Sequence, residues 1–162
     1  MISFLSLGSN IGDRFINLKK SISLINKSKK INLLLKSKIY ETSPMENLDQ
    51  NNFLNQVIKI DTSLEPLDLL SVIKGIECRM GRSESIDRYM PRIIDIDILA
   101  YEKLLFSDKD LIIPHPKIKL RKFILKPWSD IAPDYILTNG KSTIKELLDK
   151  IICFKDKVEE YN

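Results

Sequence analysis

A stretch of strict alternation near the middle of the chain sets the terms for the fold. Ile94, Ile96 and Ile98 occupy every second position, and Asp95 and Asp97 stand between them. Side chains alternate faces along a β-strand, so the isoleucines share one face and the aspartates the other. The spacing predicts a strand whose isoleucine face lies in a core. At about 3.3 Å per residue the two carboxylates are rooted roughly 6.6 Å apart, close enough to share a cation or hold a pair of them. Arg88 and Arg92 lie just upstream, and Pro91 fixes the backbone ahead of the strand. An acidic pair beside guanidinium groups suggests metal-bound phosphate. Taken alone, the pattern is more simply an edge strand with one solvated face, so the rest of the chain has to decide.

A length of 162 residues suits one domain with a real core. With 43% hydrophobic and 30% charged residues, the composition is that of a soluble globular protein. The net charge of +4 permits nucleic-acid binding without arguing for it, because the lysines are scattered; it equally suits a small anionic substrate such as a nucleotide. Cys78 and Cys153 form neither a disulfide framework nor a metal-ligand spacing, which fits a reducing cytoplasm. No apolar run reaches the length of a membrane span, and the N-terminus enters a strand without a signal-peptide pattern. The expectation is a cytoplasmic protein with no membrane contact.

Ile2 to Leu7 reads as a first strand. Gly8 to Arg14 turns the chain, and Ser9, Asn10 or Asp13 can cap the next helix. Its glycine spacing matches neither the dinucleotide fingerprint nor the P-loop, so a structural turn is expected. Phe15, Leu18, Ile22 and Ile25 recur at helical spacing. Ile31 to Tyr40 is expected as a second strand, and Thr42 to Asn52 as a long, polar loop of the kind that often carries function. Phe53 to Asp61 follows as a third strand, with Phe53, Asn55, Val57 and Lys59 on one face and Leu54, Gln56, Ile58 and Ile60 on the other.

Pro66 opens a second helix, with an apolar stripe expected at Leu67, Leu70, Ile73, Ile76 and Met80. Lys74, Glu77 and Gly81 flank that stripe, a position where glutamates are mostly solvated. Gly81 to Arg92 is a second, charged loop. After the aspartate strand a short hairpin is expected around Glu102-Lys103. His115, the one histidine, has a proline on each side, which narrows its backbone range. Trp128 is expected in the core or at its rim, Ser142 to Ile152 as a last helix, and the final charged residues as a frayed end. Strand, helix, strand, strand, helix, strand is the order of an α+β, ferredoxin-like β-α-β-β-α-β core, with a hairpin and helices appended toward the C-terminus in a single domain over 1–162.

Two aspartates on one strand face, two long loops and the nitrogen donors Arg82, Arg88, Arg92, His115 and Arg121 are the parts that phosphoryl-group transfer from ATP needs. Metals and guanidinium groups neutralise the transferred charge, and closing loops exclude water. On these parts the sequence resembles the 6-hydroxymethyl-7,8-dihydropterin pyrophosphokinase family of folate biosynthesis. The resemblance runs from Ile2 to about Pro133. It is carried by Leu7-Gly8-Ser9-Asn10, Tyr40-x-Thr42, Phe53-Leu54-Asn55, Ile76-Glu77-x3-Gly81-Arg82, Pro91-Arg92-x2-Asp95-Ile96-Asp97-Ile98-Leu99, Ile113-Pro114-His115-Pro116 and Arg121-x-Phe123.

The resemblance implies transfer of pyrophosphate from ATP, as co-substrate, to the hydroxymethyl oxygen of the pterin, leaving AMP. It implies Asp95 and Asp97 as ligands of two Mg²⁺ ions. Arg82, Arg88, Arg92, His115 and Arg121 would contact ATP phosphates or steady the leaving group, with Arg82, Arg92, Asp95 and Asp97 as the catalytic set. Glu77 would stand behind the nucleotide site, and Ile98, Leu111 and Ile112 would flank the adenine. Thr42, Met45, Phe53, Asn55, Tyr89, Asp95 and Phe123 would form the pterin pocket. The chain departs from the family pattern at Glu84, Tyr89 and Met90 in the charged loop, and at Lys74 and Asp110. These changes bear on loop closure and turnover rate more than on the reaction.

Two rival readings stay open at this point. One is a ferredoxin-like nucleic-acid-binding module, which would need stacking aromatics on its central strands. The other is a degenerate homologue that binds pterin or ATP without turnover. The reading adopted is a monomeric enzyme of small-molecule substrates, with no nucleic-acid partner.

Overall fold

The computed structural model describes residues 1–44, 50–81, 90–138, 140–151 and 157–162. Strand β1 (Ile2–Ser9) runs down the middle of an antiparallel sheet. Helix α1 (Arg14–Asn26) follows, then β2 (Ile31–Lys36), β3 (Tyr40–Thr42), β4 (Phe53–Thr62), α2 (Pro66–Arg79) and β5 (Asp95–Tyr101). The strand order is β5-β1-β4-β3, and β2 also pairs with β4. Beyond β5 come β6 (Phe106–Ser107), β7 (Ile112–Ile113), a 3-10 turn (Ile118–Leu120), α3 (Lys122–Ile131), α4 (Ile144–Lys150) and β8 (Val158–Glu160).

Local chemistry sets the helix ends. The Asp13 carboxylate accepts the Ile16 N–H at 2.9 Å, so Asp13, rather than Ser9 or Asn10, caps α1. Past the end of α2, Gly81 has a φ of +96°, a conformation that disfavours any residue with a Cβ. Thr143 and Glu146 form a reciprocal capping box at the start of α4.

The alternation in β1, β4 and β5 divides two cores between the sheet's faces. Leu5, Leu7, Leu54, Ile58, Ile60, Ile96 and Ile98 pack against Leu18 and Ile25 of α1 and Leu69, Ile73 and Ile76 of α2. Phe4, Val57 and Leu99 point the other way and pack against Ile124, Leu125 and Trp128 of α3 and Ile144 of α4. Trp128 is fully buried, with its ring 5.0 Å from that of Phe4 and 5.6 Å from that of Tyr135. The helix layer on this second face covers one end of the strands. Toward Ser9 and Asp95 the face is open, and there the cleft lies.

Several expectations are corrected. The second strand is broken into β2 and β3. The partner sum against β4 steps from Leu33↔Ile60 to Leu35↔Lys59 and again to Tyr40↔Asn55, so one bent strand carries two extra residues. At the break the Ser37 hydroxyl accepts the Val57 N–H, and its carbonyl accepts from Gln56 Nε2. In α2 the buried positions are Pro66, Leu69, Ile73, Ile76 and Glu77, whereas Leu67 is exposed. The apolar stripe is therefore rotated toward Glu77. Glu102-Lys103 does turn the chain, but β6 pairs with β7 instead of folding back on β5. The C-terminus does not fray: β8 pairs with β3, and the Tyr161 N–H donates to the Ile39 carbonyl.

Trp128→Ala should lower unfolding stability by about 3–5 kcal/mol in urea titrations, because it empties the middle of the second core. Truncating the exposed Leu105 to alanine should change it by under about 0.5 kcal/mol.

Candidate active site

The site is built on cross-strand register. Gly8 of β1 stands opposite Asn55 of β4 on one side and opposite Asp95 of β5 on the other. Two residues back along β1, Ser6 faces Val57 and Asp97 in the same way. Asn55, Gly8 and Asp95 therefore form one row across three strands on the open face. A methyl group on Gly8 would come within 3.0 Å of Asn55 Oδ1, so only glycine leaves this row flat. The row forms the floor of a cleft of about 780 Å³.

One end of the cleft is aromatic and polar. Phe53 and Phe123 line it together with Thr42, Ser43 and Pro44. Asn55 is buried, and its Nδ2 donates to Thr42 Oγ1 at 2.7 Å. That bond fixes the amide orientation and turns Oδ1 toward Gly8. The other end is charged. Arg92 donates to Asp95 at 2.6 Å, and an Arg121 nitrogen lies 3.8 Å from Asp97. The Arg121 guanidinium also sits 5.5 Å from the Phe123 ring centre, joining the two ends.

Burial, then the neighbouring Asp95 charge, push the Asp97 carboxyl above its ordinary range, while Arg121, Lys74 and Arg92 pull it back. His115 is pushed down to about 4, first by burial and then by Arg121 and Lys117. Its imidazole is therefore neutral near pH 7. Nδ1 accepts the Lys117 N–H at 3.2 Å, which assigns the ring proton to Nε2 and makes that atom a donor. The His115 N–H is bonded to the Leu99 carbonyl, so the residue is tied to the end of β5.

Glu77 stands behind this array. It is fully buried; Oε1 accepts the Ile96 N–H at 2.7 Å and Oε2 pairs with Lys74 at 2.9 Å. Ile96 lies between the two aspartates, so Glu77 holds the backbone that spaces them. The expectation that a flanking glutamate is solvated fails here, because the rotation of α2 faces it toward β5.

The structure brings Thr42, Phe53, Asn55, Arg92, Asp95, Asp97, His115, Arg121 and Phe123 to one cleft. It does not bring the aliphatic trio there: Ile98 and Leu111 lie in the first core, and Ile112 is exposed on β7. Met45, Arg82, Glu84, Arg88 and Tyr89 lie outside the described residues. Sequence reasoning missed Ser6, Gly8 and Gln50, which also line the cleft. The strand parity that places Phe4 on the second face would have placed Ser6 and Gly8 beside it. It missed Asn10 as well, whose side chain accepts the Arg92 N–H at 2.6 Å and donates to Gln50 at 3.0 Å. Among the described residues no group of three or more His, Cys, Asp and Glu side chains gathers.

This architecture recurs in solved structures of longer chains. An HPPK-DHPS in complex with substrates matches at a TM-score of 0.72 and 17% identity, covering 91% of this chain and 43% of that one. The wild-type Plasmodium falciparum HPPK-DHPS with SDX-DHP matches at 0.70 and 20%, covering 92% and 43%.

The family model for 7,8-dihydro-6-hydroxymethylpterin-pyrophosphokinase (HPPK) matches residues 4–133. The 2-amino-4-hydroxy-6-hydroxymethyldihydropteridine pyrophosphokinase of Methylorubrum extorquens is 40% identical over 149 residues, 92% of this chain and 92% of that protein. The chain therefore belongs to the HPPK family of pyrophosphokinases. The folic acid synthesis protein fol1 of Schizosaccharomyces pombe is also 40% identical, over 93% of this chain, but the chain spans only 20% of its length. Among the described residues no helix is long and apolar enough to cross a membrane.

Glu77→Ala should cost about 1–3 kcal/mol of stability, because the buried Ile96 N–H loses its acceptor; Glu77→Gln should cost less. For His115, the unfolded chain binds a proton near pH 6.5 and the folded chain only near about 4. Between those values the unfolded state holds more protons, so stability rises with pH across the window and levels off above it. Urea midpoints measured from pH 4 to 8 should contain this component in the wild type and lack it in His115→Gln.

Proposed function

We propose that the chain transfers the pyrophosphoryl group of ATP to the hydroxymethyl oxygen of 6-hydroxymethyl-7,8-dihydropterin, releasing AMP, as a step of tetrahydrofolate biosynthesis. The observation that carries this reading is the Asn55–Gly8–Asp95 row. It sets an amide suited to a heteroaromatic edge directly beside a carboxylate and arginine cluster suited to polyphosphate. We further propose one domain over 1–162, built on a ferredoxin-like core and acting as a monomer. Nucleic acid is not its partner.

In this reading Phe53 and Phe123 stack on the faces of the pterin. Asn55, oriented by Thr42, offers Oδ1 to ring N–H groups; a buried polar contact of that kind discriminates strongly against rings that lack the donor. Arg92 and Arg121 are permanently charged forks that match phosphate oxygens. Neutral His115 donates from Nε2 to a phosphate oxygen and does not serve as a base. Lys74 keeps its pairing with Glu77 and adds positive charge to the wall. Met90, exposed at the cleft edge, bears on turnover rate.

The residues fit divalent cations. Two aspartates share one strand face, and burial with the neighbouring Asp95 charge raises the Asp97 carboxyl above its ordinary range, a repulsion that a bound cation would relieve. Asp95 and Asp97 would hold the Mg²⁺ ions, taken here as two. Bound there, the ions would neutralise charge on the transferred group and orient it. Arg92 and Arg121, which stand beside the two aspartates, would face the phosphates from the same end of the cleft.

Protein incubated with Mg²⁺, ATP and the dihydropterin should form AMP only when the pterin is present; ADP as the nucleotide product would defeat the proposal. Asp97→Ala should lower turnover at least about a hundredfold while leaving the melting temperature unchanged or higher, since it removes one of two repelling carboxylates. Salt-dependent RNA binding without nucleotide turnover would favour the nucleic-acid module instead.

A further inference from the structure

We propose that the C-terminal strand β8 positions the pterin end of the cleft, acting through β3 without touching the substrate. The inference rests on the pterin pocket proposed above. Strand β3 is only three residues long, and it leads directly into Thr42, Ser43 and Pro44 of the cleft wall. Its inner edge is held by β4, with Tyr40 opposite Asn55 and Thr42 opposite Phe53. Its outer edge would be a short, unpaired row of peptide groups. β8 covers it, setting Val158 opposite Thr42, Glu159 opposite Glu41 and Glu160 opposite Tyr40.

The pairing is reinforced on both sides. The Ser43 N–H donates to the Lys157 carbonyl at 3.4 Å, and the Tyr161 N–H donates to the Ile39 carbonyl at 2.9 Å. Because hydrogen-bonded pairs alternate in an antiparallel ladder, these two contacts make Glu41–Glu159 the hydrogen-bonded pair between them. Like charges opposite one another would oppose that pairing. Here each is answered: Arg14 pairs with Glu41 at 2.7 Å and Lys157 with Glu159 at 3.0 Å. Lys38 pairs with Glu160 at 2.8 Å, and the Tyr161 ring lies 6.1 Å from that of Phe15. Arg14 also donates to the Asn52 carbonyl at 2.8 Å, so both ends of the connection from Ser43 to Asn52 are held from outside the cleft.

Thr42 is the link to recognition. Its hydroxyl fixes the Asn55 amide, so a β3 that separates from β8 loosens the group that reads the pterin edge. The phosphate end is built on Arg92 and Asp95 at the head of β5 and on His115 and Arg121 beyond β7, and β5 lies at the opposite end of the strand order from β3 and β8. The effect is therefore selective for one substrate. It is also reciprocal: if β8 pairing favours pterin binding, pterin binding favours β8 pairing by the same factor.

Glu159→Pro removes one ladder donor and alters no residue of the cleft. It should raise the KM for the dihydropterin about fivefold or more, with the KM for ATP and the melting temperature unchanged. Glu159→Gln, which keeps the backbone donor, should behave as the wild type. An unchanged pterin KM in Glu159→Pro, or equal losses for both substrates, would overturn the proposal. On the wild-type chain, with Mg²⁺ and a non-hydrolysable ATP analogue present, dihydropterin should slow amide hydrogen exchange at Glu159 and Tyr161. Calorimetric pterin binding with no change at those amides overturns this inference alone. No calorimetric binding by the wild type overturns the pterin assignment, and this inference with it.

Discussion

The register of three strands is the constraint on which the rest of the molecule depends. β1 pairs antiparallel with β4 and β5, and the two pairings meet at Gly8. A slip of one residue in either would turn Asn55 or the aspartates into the first core and bring leucine or isoleucine to the cleft. The register is itself held by burial on both faces. Leu5, Leu7, Leu54, Ile58 and Ile96 must face α1 and α2, while Phe4, Val57 and Leu99 must face α3. Site geometry and core packing are thus one specification, written along the same strands with opposite parity.

The charged end of the cleft is held together by compensation between opposite charges. Two carboxylates on one strand face repel, and burial raises the cost of charging them. Arg92 and Arg121 compensate, each from a position fixed by its own backbone. Arg92 is fixed because its N–H and C=O both bond Asn10, and Arg121 because it stands at the head of α3. Glu77 adds rigidity from behind by holding the peptide N–H between the aspartates. The two arginines and the two aspartates are thereby kept in place by one another.

Much of this was legible in the sequence where a local period decides the outcome. The isoleucine and aspartate faces of β5 and the two faces of β4 follow directly from alternation. The family resemblance, carried by dispersed short segments, supplied the cleft residues that no local pattern could gather. What was not legible depends on partners distant in the chain. Leu67, Leu69 and Leu70 give α2 no unique apolar stripe, so its rotation, and with it the burial of Glu77, is settled only by the sheet beneath. The bulges that divide β2 from β3 are answers to the register of β4. The sequence Val158-Glu159-Glu160 has no strand period of its own and becomes a strand because the edge of β3 is available to it. Ile98 was assigned to the nucleotide by resemblance, yet its parity puts its side chain in the core with Ile96.

Gly8 carries a consequence for anyone who would engineer this protein for heat resistance. It sits buried in the interior of a central strand, and its φ is not in the region reserved for glycine, so alanine there would be allowed by the backbone. Glycine at such a position weakens a strand by roughly 0.5–1 kcal/mol relative to alanine. A screen that scored strand propensity alone would therefore rank it highly. The added methyl carbon would itself stand 3.0 Å from Asn55 Oδ1, inside van der Waals contact, and the amide is held by Thr42, so the floor of the cleft would have to shift to admit it. Glycine is kept at this position by the close approach of a neighbouring side chain and not by its own backbone angles, so a survey of backbone conformation alone would misjudge it.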